Sequence, residues 1–169
     1  MIDIFFDQIK ELSDELKTLP GIVLLKPQES VERCDEPDLF SQLVTDIELR
    51  SVVEKLFRDG HHARAVEESY KFIDNLVKSK SEAEAGLTGS KLMTTVFSVG
   101  NPVLRINSGG TMSEEDEQRG YMQIPSGCMT GIRNPRAHEH DWEDTKFTAL
   151  QLLSLANHLV ERIRAAHKV

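Results

Sequence analysis

Aromatic residues make up 6% of this 169-residue chain, cysteines number two, and basic residues are outnumbered, 20 Lys+Arg against 28 Asp+Glu. Each shortage excludes something. A formal net charge of -8 argues against strong sequence-independent wrapping of nucleic acid, DNA included, because that mode needs many cations to neutralise phosphates. Cys34 and Cys128 lie far apart with no Cys or His at zinc spacing, so they read as free thiols, and no metal and no cofactor is expected. None of the six histidines forms the His-Glu-x-x-His pattern of a metalloprotease. No apolar run approaches the roughly 18 to 20 residues that cross a bilayer, and acids stand at Asp3 and Asp7 where a signal peptide needs cations. No membrane role is expected, and the chain reads as a soluble, cytoplasmic protein. Its 39% apolar content suffices for a core and excludes disorder of the whole chain.

What is present is mostly helical periodicity. Ile2, Phe5, Phe6, Ile9, Leu12, Leu16 and Leu19 follow three- and four-residue steps until Pro20-Gly21 stops them. Ile22 to Leu25 is either a strand or an extended connection, and residues 26 to 38 read as a linker. Apolar steps resume through Leu43, Ile47, Val52, Val53, Leu56 and Phe57, predicting a helix over 39 to 58, with Gly60 just past its end. A second helix is predicted over 61 to 80, with Ala65, Val66, Ser69, Tyr70, Ile73, Leu76 and Val77 on its apolar stripe. A loop over 81 to 90 and a short helix over 91 to 99 follow. Thr111-x-x-Glu114 forms a capping-box pattern, which accounts for the acids Glu114 to Glu117 at a helix start. That helix runs towards Gly131-Ile132, with Pro125 and Gly127 making its middle irregular. A last helix is predicted from about Asp141 to Ala166. Trp142 and Phe147 are expected to pack the core at its start. The sum is an all-α protein of five or six helices.

Reactive groups concentrate in a turn expected between the last two long helices, Gly131-Ile132-Arg133-Asn134-Pro135-Arg136-Ala137-His138-Glu139-His140. Arginine presents a planar fork of donors to a phosphate, and histidine moves protons near neutral pH. With the 2'-OH of RNA as nucleophile, a base, an acid and a positive clamp suffice, and no metal is needed. One chain offers a single Arg-His pair. A symmetric dimer would supply two.

The string from Arg133 to His138 resembles the Arg-x4-6-His pattern, with a polar residue after the Arg, of HEPN domains. Leu56-Phe57-Arg58-Asp59-Gly60-His61-His62-Ala63-Arg64-Ala65-Val66-Glu67-Glu68 is similar to the Leu-Phe-x-x-Gly-His-Tyr-x-x-Ala-Val-x-Glu stretch of the Ymh-type family of prokaryotic proteins. Leu92-Met93 with Phe97, Asp116 to Met122, and Gly131 to Glu139 match in the same order. Asp46-Ile47-Glu48-Leu49 departs from the family's usual His-Pro pair, and His62 replaces its common Tyr. The resemblance implies an HEPN-like helical bundle over 46 to 169, preceded by an N-terminal helical arm and linker over 1 to 45.

The resemblance also implies a function, a metal-independent endoribonuclease active as a homodimer, of the kind found in toxin-antitoxin and anti-phage systems. Its substrate would be RNA, and an antitoxin or defence-system partner would control it. In that reading Arg133 clamps the scissile phosphate, His138 is general acid or base, and Asn134 supports the turn or orients a neighbour. Arg136 adds positive field for the substrate, and Glu68 is a secondary candidate, an acid near the site. His61 and His140 read as surface or packing residues. The alternative is a non-catalytic HEPN-like sensor or adaptor that binds a nucleotide, an RNA or a partner protein.

Overall fold

In the computed structural model the described residues are 38 to 169. The helix expected at 2 to 19, the segment at 22 to 25, Cys34 and nearly all of the linker lie outside them. Within the described residues the elements are α1 (Leu39–Leu43), α2 (Ile47–Arg58), α3 (His62–Ser81), α4 (Gly89–Val96), β1 (Leu104–Arg105), α5 (Met112–Cys128), a π-helical turn (Met129–Arg133), α6 (Asn134–His138), α7 (Lys146–Ala165) and β2 (His167–Lys168). The fold is an all-α bundle. Its only sheet among these residues is the two-residue antiparallel pair β1-β2, with Leu104 opposite Lys168 and Arg105 opposite His167. No helix among them is long and apolar enough to cross a membrane.

Helix α3 is the axis of the bundle, packed against α2 on one side and α7 on another. Of its expected stripe, Ala65, Val66, Ser69, Tyr70, Ile73 and Val77 are buried and Leu76 is half-buried. The buried Tyr70 hydroxyl donates to the Leu152 carbonyl of α7 at 3.2 Å. Burial raises the Tyr70 phenol above its ordinary pKa, so it stays protonated as a donor. Burial likewise raises the neighbouring Cys128 thiol, with the adjacent Tyr70 hydroxyl opposing the shift. A protonated, covered thiol is a poor nucleophile. Gln118 of α5, also buried, fastens the non-helical stretch before it. Its amide donates to the carbonyls of Phe97 (3.0 Å) and Leu104 (3.1 Å), and its carbonyl accepts the Ile106 N–H at 3.0 Å.

The α2-α3 turn and the α5 start are as the sequence leads one to expect. Gly60 has φ +85°, the His61 N–H reaches back to the Leu56 carbonyl at 2.9 Å, and the Gly60 N–H bonds the Phe57 carbonyl at 3.2 Å. This pair of reverse bonds closes the helix through Asp59 onto the left-handed Gly60. Thr111 and Glu114 exchange both bonds of a capping box.

The single helix expected over 39 to 58 is instead two, broken at Val44-Thr45-Asp46. Asn157 of α7 causes the break, because its Oδ1 accepts the backbone N–H groups of both Thr45 and Asp46 at 2.9 Å, withdrawing them from a helix. Asp46 then caps α2 by accepting the Leu49 N–H at 2.9 Å. The break also moves the apolar stripe: Ile47 is exposed, while Leu49, Val53 and Phe57 are buried.

Asp46 also accepts from Arg164 of α7 at 2.6 Å, and Arg164 extends to Glu48 at 2.8 Å. Burial alone would raise the Asp46 carboxyl. The Arg164 hydrogen bond, the Leu49 N–H and the Arg164 charge together outweigh it and hold that carboxyl below its ordinary value. A depressed folded-state pKa stabilises the fold above the unfolded value of about 3.9 and is lost as pH falls through the folded value. In urea melts between about pH 6 and pH 3, the wild type is therefore expected to lose more stability than Asp46→Asn, which keeps the cap and lacks the charge. Parallel loss in the two proteins would show that the pair with Arg164 contributes nothing.

Candidate functional site

The segment that holds Arg133 to His138 is not a turn between two helices. Helical backbone continues through α5, the π turn and α6, and the chain leaves it only at Glu139, whose φ and ψ are extended. Pro125 lies buried inside α5 without ending it. The irregularity comes later, where the Asn134 N–H bonds the Met129 carbonyl five residues back. Pro135 follows at once and has no N–H to offer, so the ladder changes register where a donor is missing. Single π turns of this kind recur at functional sites.

The loop after α6 and the late start of α7 share one cause. Arg136 points inward, where Nε and Nη2 donate to the two Asp144 oxygens at 2.6 and 2.7 Å and Nη1 donates to the Ile132 carbonyl at 2.7 Å. Both side chains are 5% exposed, and the guanidinium lies over the Trp142 ring at 5.3 Å. Asp144 is thereby spent on Arg136, so the cap of α7 falls to Thr145, which accepts the Thr148 N–H at 3.1 Å. Helix α7 starts at Lys146 instead of near 141. Phe147 is 69% exposed and Trp142 42% exposed, so the expectation that they pack the core is corrected. The ion pair has taken the position at the head of α7 that the sequence pattern assigned to them.

Arg133 and His138 are both available, on different sides of the helix. Five helical steps turn about 140°, and the two residues line separate depressions. His138 is exposed and lines a groove of about 720 Å³ with Asn134, Pro135, Glu139 and Trp142. Arg133 lines a smaller hollow of about 280 Å³ against α3, beside Lys71 and Lys78. Asn134 joins the two, since it lines the His138 groove and its Oδ1 accepts from Arg133 Nη1 at 3.1 Å. Among the described residues Arg133 makes no ion pair with a carboxylate.

Glu68 is held by Arg64 at 2.6 Å and by Lys71 at 3.2 Å. It therefore reaches the Arg133 hollow only through Lys71. The more buried acid is its neighbour Glu67, 5% exposed, which takes Arg64 at 2.8 Å and Lys71 at 2.7 Å. His61 sits at the head of α3 without capping it and lines a third depression with His62 and Arg64; His140, exposed in the loop after α6, lines the His138 groove. Sequence reading did not single out Lys71, Lys78 or Asp144. The spacing Arg64, Glu67, Glu68, Lys71 was a visible sign of a charged helix face. Nothing local marks Asp144 as the partner of a residue eight positions away. Among the described residues no three of His, Cys, Asp and Glu converge as metal ligands would.

No curated protein and no solved structure matches the chain. A family model does, over residues 44–163, under the description "Protein of unknown function (Hypoth_ymh)". That span covers most of the chain, and the protein belongs to this family.

Proposed function

We propose that the protein is a metal-independent endoribonuclease of HEPN type, acting as a homodimer. One observation carries the reading. Of the polar groups on the helix between Arg133 and His138, the fold consumes Arg136 and leaves Arg133 without a carboxylate among the described residues and His138 exposed. A free guanidinium and a free imidazole tied through one asparagine are the parts that RNA transesterification requires.

In this scheme His138 takes the proton of a ribose 2'-OH, and the oxygen attacks the adjacent phosphorus. The bond from phosphorus to the 5' oxygen breaks, and that oxygen takes a proton from a second imidazole. Arg133 offsets the charge that builds on the phosphoryl oxygens, and Asn134 orients Arg133. The products are a 2',3'-cyclic phosphate and a 5'-hydroxyl. His140 lines the same groove from the loop after α6, and we assign the second imidazole to His138 of a second copy, paired across the exposed face of α6. Arg136 positions the end of the helix and does not contact substrate. The resemblance to HEPN proteins favours a setting in toxin-antitoxin or anti-phage defence, with an antitoxin or defence component as partner.

A rival reading, a non-catalytic HEPN-like adaptor, draws on a different feature. Glu139 and Asp141 border the His138 groove beside the exposed Trp142, a mixture of acid and aromatic surface suited to a protein partner. Incubating RNA with the purified chain in excess EDTA separates the two. Cleavage at an unchanged rate is expected. Loss of cleavage with chelator would indicate a metal nuclease, and intact RNA under all conditions would favour the adaptor.

A further inference from the structure

The hollow on the Arg133 side of the helix has the makings of a second anion site. Lys71, Asn75 and Lys78 stand on one face of α3 at its rim, and Met129 lines it from the π turn. The lysine side chains are 32% and 24% exposed, so their stems are held against the protein. Lys71 bonds Glu67 and Glu68, and Lys78 bonds Asp74 at 3.0 Å. With Arg64 included, the charged groups around the hollow are four cations against three carboxylates, in an Arg64-Glu67-Glu68-Lys71 network and a separate Lys78-Asp74 pair, and the cation left over among the described residues is Arg133. The corner already attracts negative charge. Asp74 accepts the Gly89 N–H at 2.6 Å at the head of α4, a helix with no acid in its first turn.

We propose that this hollow is a phosphate pocket for the RNA strand, seating a phosphodiester next to the scissile one. The inference rests on the endoribonuclease reading. Arg133 stands on the border, bonded to Asn134 of the His138 groove and facing Lys71 and Lys78 on the other side. A strand crossing the helix would meet Arg133 with its scissile phosphate. The adjoining phosphate would then lie over the two ammonium groups. In a chain of net charge -8, such a local pocket would hold the strand where bulk charge does not.

Methionine-methyl NMR of the full chain tests this directly, because Met129 lines the hollow and is buried, while Met112 is 82% exposed at the start of α5 and serves as reference. The probe is 2'-O-methylated hexauridylate, which has no free internal 2'-OH and cannot be cleaved by this route. Met129 is expected to shift on titration and Met112 to stay in place. Lys78→Gln should weaken binding by about tenfold or more, the loss expected of one charge-assisted hydrogen bond, and Lys78→Arg should retain it. Asn75→Glu, at an exposed position on the rim, should weaken binding as well. A Met129 signal indifferent to the oligonucleotide overturns the pocket, as does unchanged affinity in Lys78→Gln. A response to inorganic phosphate without one to the oligonucleotide overturns its assignment to a strand. Failure of the pocket alone would leave cleavage and its dependence on His138 intact. Failure of the endoribonuclease reading would appear as intact RNA even where Met129 responds.

Discussion

His138→Ala is expected to lower RNA cleavage by about 10²- to 10⁴-fold, the range that one positioned general acid or base supplies. The fold should survive, for three reasons. The imidazole is exposed, the residue ends its helix, and alanine is a better helix former than histidine. Circular dichroism, melting temperature and the mass of the dimer should therefore match the wild type. A pH-rate profile adds a further check, since a reaction that needs one group as base and another as acid has a bell-shaped dependence on pH. Equal cleavage by wild type and variant would remove His138 from the chemistry.

The second large effect concerns stability. Asp144→Asn keeps the size and one acceptor of the side chain but leaves the Arg136 guanidinium charged and unpaired at 5% exposure. Removing one partner of a buried pair costs about 3 to 5 kcal/mol, because the other charge stays desolvated without compensation. In a domain of this size that lowers the melting temperature by on the order of 10 °C. Thermal melts followed by circular dichroism would show it. A shift under about 2 °C would mean that Arg136 is free of the fold, and would return it to the set of residues that can meet substrate.

These two expectations mark how far the sequence alone was legible. Local rules carried well where the cause was local. Gly60 at +85°, the Thr111-Glu114 box and the stripe on α3 all follow from a few neighbouring residues. Long-range contacts defeated the pattern elsewhere. Asn157 breaks the expected first helix from more than a hundred residues away, and no period in 39 to 58 foretells it. The same applies to Arg136, which reads as one more cation in a basic string until Asp144 is seen across the loop. Phe147 kept the spacing of a core residue and lies on the surface. The reactive segment itself was visible as a concentration of Arg and His. Its helical form, with Arg133 at the end of a π turn and His138 about 140° further round the helix, was not visible in the sequence.

The opposite-side placement bears directly on mechanism. A single chain that separates its clamp from its proton carrier needs either a strand lying across the helix or a second copy meeting it. The lysine hollow on one side and the exposed groove on the other suit both at once.

The most direct measurement of the central claim is the end chemistry of the cut RNA. A defined oligoribonucleotide treated with the purified chain in EDTA, with products resolved by mass spectrometry, reads the nucleophile from the new termini. Attack by the 2'-OH leaves a 2',3'-cyclic phosphate or its 3'-phosphate hydrolysis product together with a 5'-hydroxyl, and that is the expected result. Fragments ending in 3'-hydroxyl and 5'-phosphate would contradict it, because they require an activated water in place of the ribose oxygen that His138 is assigned to deprotonate.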